Sequence, residues 1–151
     1  MSGAVALDQA SIDSLQRVLA AEHAALWCYT LVLAFVPADQ ATQARKDIDE
    51  HRTLRTQVEQ TLTDVGARPV SAQPAYATGV PVTDVLSAGR LIVTAENDVL
   101  AGWRSVLEQT TSQQLRVAAL QALSAGVVRA SRWRAATGTL PTVPALPGIE
   151  R

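Results

Sequence analysis

Residues 15–36, with the sequence LQRVLAAEHAALWCYTLVLAFV, form the most apolar stretch of the chain that also has helical spacing. Steps of three and four residues place seven of them on one stripe, namely Leu15, Val18, Glu22, Ala25, Tyr29, Val32 and Val36. Such a stripe is typical of a helix that faces a core. Glu22 lies at its centre, where a carboxylate is costly unless another group pairs with it or binds it.

Composition indicates a single all-α domain. The chain has 151 residues, of which 48% are hydrophobic and 4% aromatic. This length is sufficient for a full hydrophobic core, and the abundance of alanine and leucine favours closely packed helices. The formal net charge is −1. Because no basic field surrounds the chain, we expect no nucleic-acid partner.

Features of the sequence favour a soluble, cytoplasmic protein. Cys28 is the only cysteine, so an intrachain disulfide is excluded, and we interpret it as a small core residue. The first residues, MSGAVALDQ, lack the basic start and apolar run of a secretion signal. The strongest apolar run spans the 13 residues 24–36. A membrane span needs about 20 residues, and we therefore expect no membrane association.

Capping and breaking residues divide the chain into four helices. Asp8 or Ser11 begins the first, Pro37 ends it, and Gly66 follows the second. The helices are expected at about residues 8–36, 40–65, 84–111 and 113–137. They would form one domain over residues 1–138, followed by a proline-rich tail over residues 139–151 that is either laid on the bundle or loose.

The connection between the second and third helices is unusually long. It covers the 16 residues 67–82, which include three prolines and little charge. Fully extended, it could reach about 53 Å, whereas a helix of about 26 residues is only about 39 Å long. It can therefore cross the whole bundle, so that the second and third helices are parallel in an up-down-down-up order. Its low charge predicts that it packs on the bundle.

Three polar residues lie at mid-length on the inward stripes of three different helices. Glu22 is central in the first helix, His51 in the second and Glu96 in the third. Residues at mid-length on inward stripes meet near the centre of a bundle, so we expect a buried cluster. Asp47, one turn before His51, could join it, and Glu50 could turn towards it less easily.

Two interpretations of this cluster remain open. Carboxylate and imidazole ligands that project inward from bundle helices suit iron, manganese or zinc. In that case Glu22, His51 and Glu96 would be the ligands, with Asp47 and Glu50 as further candidates. Alternatively, the same groups form a buried polar network in which Arg55, one turn after His51, neutralises a glutamate.

The chain resembles the ferritin-like superfamily over essentially its whole length. Four long helices with a long crossover carry this resemblance. The segments Ala21–Ala25 (AEHAA), Glu50–Arg52 (EHR) and Pro74–Tyr76 (PAY) are similar, more specifically, to an actinobacterial ferritin-like family of unknown function. The resemblance implies a ferritin-like four-helix bundle.

The resemblance carries over only part of a di-iron site. Familiar members have a glutamate on the first and third helices and a Glu-x-x-His pair on the second and fourth. Glu22, Glu96 and His51 match these positions, but Ile48 stands where the second helix should have its glutamate. Residues 109–149 contain no Asp, Glu or His. A single metal or a lost site is therefore expected in place of a di-iron centre.

The fourth helix gives a weaker pattern. We expect its core-facing stripe to contain Val117, Leu120, Ser124 and Val127. Its last turns are basic, and we interpret Arg129, Arg132 and Arg134 as groups that interact with the helix dipole. The three tryptophans, Trp27, Trp103 and Trp133, are interpreted as packing residues of the core or of an interface.

Three functions are compatible with these features. We favour a non-catalytic scaffold with a degenerate metal site and no cofactor, forming a homodimer through the apolar residues Leu31 and Phe35. A metal-dependent redox protein that uses Glu22, His51 and Glu96 is the alternative. A further alternative is a small-ligand binding protein whose polar cluster lines a pocket beside Trp27 or Trp103.

Overall fold

A computed structural model describes residues 6–149, and every regular element in this range is a helix. The helices are α1 (Gln9–Val32), α2 (Ala38–Asp64), α3 (Val85–Gln109) and α4 (Gln113–Thr137). No helix in this range is both long enough and apolar enough to cross a membrane.

Side-chain caps begin three of the four helices. The carboxylate of Asp8 accepts the backbone N–H of Ser11, and Asp84 forms a reciprocal capping box with Ser87. Ser112 caps α4 in the same way as Asp8 caps α1. These hydrogen bonds satisfy donors that the first turn of a helix leaves without intrahelical partners.

The prediction that α1 continues to Val36 was wrong. The helix ends at Val32, and residues 33–36 form turns with i+3 hydrogen bonds to Leu31 and Val32. A residue that precedes proline is disfavoured in the α conformation, and Pro37 has no N–H with which to continue the helix. The helix-ending effect of Pro37 therefore extends back over the full turn that precedes it. Leu31 and Phe35 are half-buried against the core of their own chain.

Contacts between helix ends establish the predicted up-down-down-up order. Ser11, at the start of α1, donates to Thr110, just after α3, over 3.0 Å. Gln16 donates to the backbone oxygen of Arg68, just after α2, over 2.8 Å. Since α1 is antiparallel to both α2 and α3, those two helices are parallel. A three-residue connection joins α3 to α4, which is antiparallel to it.

The crossover between α2 and α3 packs along α1, as predicted. The backbone of Val70 accepts from His23 over 3.0 Å and donates to Gln16 over 2.8 Å. Further along, the rings of Trp27 and Tyr76 lie 6.0 Å apart. Residues 139–149 of the tail also lie on the bundle, where Arg104 on α3 donates to the backbone oxygen of Pro147 over 3.2 Å.

The inward stripes predicted for α1, α2 and α3 are largely buried, but the stripe predicted for α4 was wrong. Val117 and Leu120 are 51% and 54% exposed. The helix instead buries six residues, namely Ala119, Ala122, Gly126, Arg129, Ala130 and Trp133. Small side chains let α4 approach α3 closely, since a Cβ atom on Gly126 would lie 2.8 Å from Leu100. This close approach overrides the pattern of large apolar residues, which in α4 lie on every side of the helix and so do not define one inward face.

Candidate functional site

The structure brings together the three polar residues predicted to meet at mid-bundle. Nδ1 of His51 lies 2.6 Å from Oε2 of Glu22, and Nε2 of the same ring lies 2.8 Å from Oε1 of Glu96. None of the three side chains is exposed. We call these residues, with Arg129, the central cluster.

His51 bridges two carboxylates and is protonated. A carboxylate accepts hydrogen bonds, so both ring nitrogens must carry a proton to bond to both neighbours. Burial alone would lower the pKa of His51, but the hydrogen bonds to Glu22 and Glu96 and the charges of both outweigh it and raise the pKa to about 9. The ring is therefore an imidazolium at neutral pH.

The counter-ion of Glu96 is Arg129, and the predicted role of Arg55 was wrong. Nε of Arg129 lies 3.3 Å from Oε1 of Glu96. Arg55 is half-exposed, and its Nε lies 4.0 Å from Glu59 on its own helix. It lies four residues along α2 from His51, about 6 Å along the axis, and its guanidinium turns towards the crossover side. Arg129 instead enters at the level of Glu96 from the inward face of α4.

Charge pairing sets the protonation of this ion pair. Burial would raise the pKa of Glu96, but the hydrogen bond and charge of His51, followed by the charge of Arg129, hold it below its usual value. Burial would lower the pKa of Arg129, and the charge of Glu96 and the hydrogen bond to Glu50 raise it instead. Both groups are therefore charged.

Glu50 contacts the central cluster from its edge. Its carboxylate is half-exposed and accepts from Nη1 of Arg129 over 2.8 Å. A position one step off the inward stripe accounts for this placement. Glu50 thus gives Arg129 a second acceptor on the solvent side, whereas Nη2 of Arg129 is buried and has no hydrogen-bond partner among the described residues.

Asp47 is buried one turn from His51 and forms a second layer. It accepts from Trp133 over 3.1 Å, from Arg132 over 3.0 Å and from Gln43 over 3.0 Å. The hydroxyl of Tyr29 joins the two layers, because it lies 2.6 Å from Glu96 and 3.2 Å from Asp47. Burial, followed by the charges of these two carboxylates, raises the pKa of Tyr29 well above its usual value, so the hydroxyl keeps its proton.

Two tryptophans act as hydrogen-bond donors, a role that the sequence analysis missed. Nε1 of Trp103 donates to Oε1 of Glu22 over 2.9 Å, and Trp133 donates to Asp47. Trp103 lies on the inward stripe of α3, two turns after Glu96. Its position on the same face as Glu96 could have indicated that its indole N–H reaches the buried carboxylates. Trp133 follows Arg129 by one turn of α4.

The arginines of α4 bind acceptors within the chain. Arg129 and Arg132 pair with Glu96 and Asp47, respectively. Arg134, the only basic residue in the last turn, donates to Asn97 and to the backbone of Pro141. The interpretation based on the helix dipole therefore explains little of this arrangement.

The central cluster, as arranged, does not fit a metal centre. A metal ion needs an unprotonated imidazole nitrogen and carboxylates that converge on one point. Here the ring of His51 separates Glu22 from Glu96, and each ring nitrogen faces a different carboxylate. Among residues 6–149, no group of three His, Cys, Asp or Glu side chains has a metal-binding arrangement. Oε2 of Glu96 has no hydrogen-bond partner, but the neighbouring Oε1 already faces the guanidinium of Arg129.

The central cluster does not line a ligand pocket beside Trp27. A groove of about 290 Å³ at that point is lined instead by His23, Arg52, Arg55 and Tyr76, among others. A larger cavity of about 550 Å³ lies between the C-terminal tail and the outer sides of α3 and α4. Trp103 itself is buried.

The helix order and the polar residues at mid-depth define a ferritin-like four-helix bundle. The chain belongs to the family described as Domain of unknown function (DUF4439), whose model matches residues 14–151. The predicted resemblance to a ferritin-like family of unknown function is thus confirmed.

Several solved structures are similar to this chain, and they include the following two. A conserved hypothetical protein, rv2844, from Mycobacterium tuberculosis is 32% identical, with a TM-score of 0.82 and coverage of 91% of this chain and 97% of that one. A structure described as ferritin like, diiron-carboxylate proteins from Bacillus anthracis str. Ames is 14% identical, with a TM-score of 0.60 and coverage of 91% and 95%. The second likeness shows the fold alone. No curated protein matches the chain.

Proposed function

We propose that this protein is a non-catalytic ferritin-like scaffold in which protonated side chains take the place of metal ions. The single observation that supports this proposal is the position of His51, which donates one hydrogen bond to each of two carboxylates. Ferritin-like metal centres need those same carboxylates as ligands. A ring that separates them prevents the two from sharing an ion.

The charges of the central cluster balance without a metal. Two carboxylates, Glu22 and Glu96, face two cations, the imidazolium of His51 and the guanidinium of Arg129. Buried charges are stable only when they are paired and hydrogen-bonded. A divalent cation added to this set would meet two positive groups and would have to displace at least one of them.

Replacement of the fourth-helix ligands supports the same conclusion. Where a metal-binding bundle would supply a glutamate and a histidine from α4, this helix supplies Arg129 and Trp133, both of which are hydrogen-bond donors. Arg129 donates to Glu96 and Trp133 donates to Asp47, so α4 supplies donors to carboxylates of α3 and α2. The polar interior would hold the four helices in one register, a role that buried polar groups have in other bundles.

The proposed role is therefore structural, and we infer no enzymatic activity and no resident cofactor. In this role the bundle would present one of its helical surfaces to another protein. Location in the cytoplasm and a homodimeric state are parts of this proposal. The metal-dependent alternative with Glu22, His51 and Glu96 as ligands requires His51 to lose a proton and turn its ring.

Metal content and thermal stability test this proposal. Untagged protein should contain less than one equivalent of iron, manganese or zinc by elemental analysis, and chelation should leave the melting temperature unchanged. Added metal at 100 times its Kd would stabilise the fold by about 2.7 kcal/mol, a shift of several degrees. Such a shift, if abolished in a Glu22→Ala, His51→Ala double variant, would overturn the scaffold proposal in favour of a metal protein.

A further inference from the structure

The middle of the outward face of α4 carries no charged residue, because its two exposed arginines, Arg116 and Arg132, lie at the edges of that face. Eight residues form a continuous stripe there, which we call the outer stripe: Gln113, Val117, Leu120, Gln121, Ser124, Val128, Ser131 and Ala135. The outward face of α2, by contrast, exposes charged side chains along its length, including Arg45, Lys46, Asp49 and Arg52. Solvated helices normally carry charges on their outward face. The outer stripe is therefore unusual for a surface in contact with water.

Large apolar side chains lie on this stripe. Val117, Leu120 and Val128 are 51%, 54% and 58% exposed. They face outward because α4 packs against α3 through its small residues, including Ala122 and Gly126. Gln121 and Ser124 separate Val128 from Val117 and Leu120, so the exposed apolar side chains form two groups on one face. Exposed apolar groups bordered by polar residues are typical of an interaction site.

We propose that the outer stripe binds the same stripe of a second copy, with the two α4 helices antiparallel about a two-fold axis. The spacing of 117, 121, 124, 128 and 131 alternates between four and three residues, which is the repeat of two helices packed knobs into holes. A two-fold contact must be self-complementary, because each residue meets its counterpart twice. The outer stripe meets this requirement in one register.

In that register the axis passes between Ala122 and Leu123. Val117 then faces Val128 of the second copy, and Gln121 faces Ser124. At the periphery, Gln114 faces Ser131 in the same way. Apolar residues thus meet apolar residues, and polar residues meet polar residues that can hydrogen-bond to them.

The flanks of the stripe are also compatible with a second copy. Leu120 would pack beside the half-buried Val127 of the second helix. The nearest cations, Arg116 and Arg132, are held by their own chain, since Arg116 donates to the backbone of Leu107 and Arg132 pairs with Asp47. The described part of α4 has no acidic residue, so no ion pair dictates a different register. An acidic partner would not account for the chemical symmetry about the middle of the helix.

This surface differs from the one predicted around Leu31 and Phe35, which are half-buried against their own core. The inference rests on the homodimeric state within the proposed function and assigns the surface that forms the dimer. It does not depend on whether the central cluster binds a metal, so elemental analysis tests the metal-free cluster and oligomeric mass tests the interface.

A charge-pair experiment tests both the surface and the register. Sedimentation equilibrium of the full chain should show a dimer. Val117→Lys alone and Val128→Glu alone should each weaken dimerisation at least about tenfold, because each places two charges in an apolar contact. The Val117→Lys, Val128→Glu double variant should restore the dimer, because the lysine of one copy then faces the glutamate of the other. Within one helix these positions are three turns apart, so the two new charges cannot pair in a monomer.

Thr56→Lys, on the exposed face of α2, is the matched control and should remain dimeric. Thermal melting followed by circular dichroism should show that all variants fold, since each altered side chain is exposed. A monomeric wild type, or single variants with an unchanged mass, would overturn the proposal. A double variant no more dimeric than the single ones would contradict the antiparallel register.

Discussion

Nε of Arg129 on α4 lies 3.3 Å from Oε1 of Glu96 on α3, and both side chains are buried. This ion pair joins the last helix of the bundle to the histidine bridge between the first three helices. Oε1 of Glu96 also faces His51 and Tyr29. A single carboxylate oxygen is thus the point at which groups from all four helices meet.

Loss of Arg129 should destabilise the protein far more than loss of Arg55. Arg129→Met leaves Glu96 with one cation fewer in a buried site, and breaking such pairs typically costs about 3–5 kcal/mol. Arg55→Met, at a half-exposed position, should cost less than about 1 kcal/mol. Urea denaturation of both variants measures these costs. Equal costs would contradict the assignment of Arg129 as the counter-ion.

Stability should decrease as the pH rises above neutrality. The pKa of His51 is raised from 6.5 to about 9. A group with a raised pKa contributes its full stabilisation below its unfolded value, and this contribution is lost as the pH rises through the folded value. The shift corresponds to an upper limit of about 3 kcal/mol, lost mainly between pH 7 and about 9.

Urea denaturation of the wild type and of His51→Gln, measured between pH 7 and 10, tests this prediction. Urea midpoints of the wild type should fall between pH 7 and 10, whereas those of the variant should change much less because the titrating group is absent. Parallel curves for the two proteins would show that His51 does not carry this charge.

The indole of Trp103 should stabilise the fold through its N–H group as well as through its size. Trp103→Phe retains a buried ring but removes the donor to Glu22, and a buried acceptor that loses its partner costs about 1–3 kcal/mol. Trp27→Phe, beside the surface groove, should cost less because no hydrogen bond of its indole contributes to the central cluster. Chemical denaturation of the two variants checks this difference.

Gly102 should not tolerate a methyl group, although alanine favours helices. A Cβ atom at this position would lie 3.1 Å from Cα of Val18 and 2.9 Å from its Cγ2. Backbone cannot move aside as a side-chain tip can, so Gly102→Ala should force α1 and α3 apart at a cost of about 1–3 kcal/mol. Elsewhere in a helix the same change stabilises by about 1 kcal/mol. A rise in melting temperature would show that the two helices are less close than described.

The sequence was sufficient to place Glu22, His51 and Glu96 together, because α1, α2 and α3 each have a clear inward stripe and known ends. It did not place Arg129. The apolar residues of α4 surround the whole helix, so periodicity did not distinguish its inward face. The length of the turn between α3 and α4 nonetheless predicts the position of Arg129. The three-residue turn between α3 and α4 sets residues near 126 opposite Glu96, and Arg129 is less than one turn away.

Side-chain direction limited the prediction for Arg55 in a similar way. Its position on the stripe of α2 was correct, but a long side chain at the edge of a stripe can turn outward, and sequence spacing does not determine its rotamer. The early end of α1 has a different cause. A proline restricts the residue before it, and here the disruption extends to the preceding turn, which helical periodicity does not predict.

The central claim is that His51 is a doubly protonated ring held between two carboxylates. Nitrogen-15 NMR of the histidine side chains tests this most directly, with His23→Gln used to assign the two rings. At pH 7, both nitrogens of His51 should carry protons, and their signals should not change when zinc or manganese is added. A singly protonated ring, or a nitrogen signal that shifts or broadens with one equivalent of metal, would contradict the account.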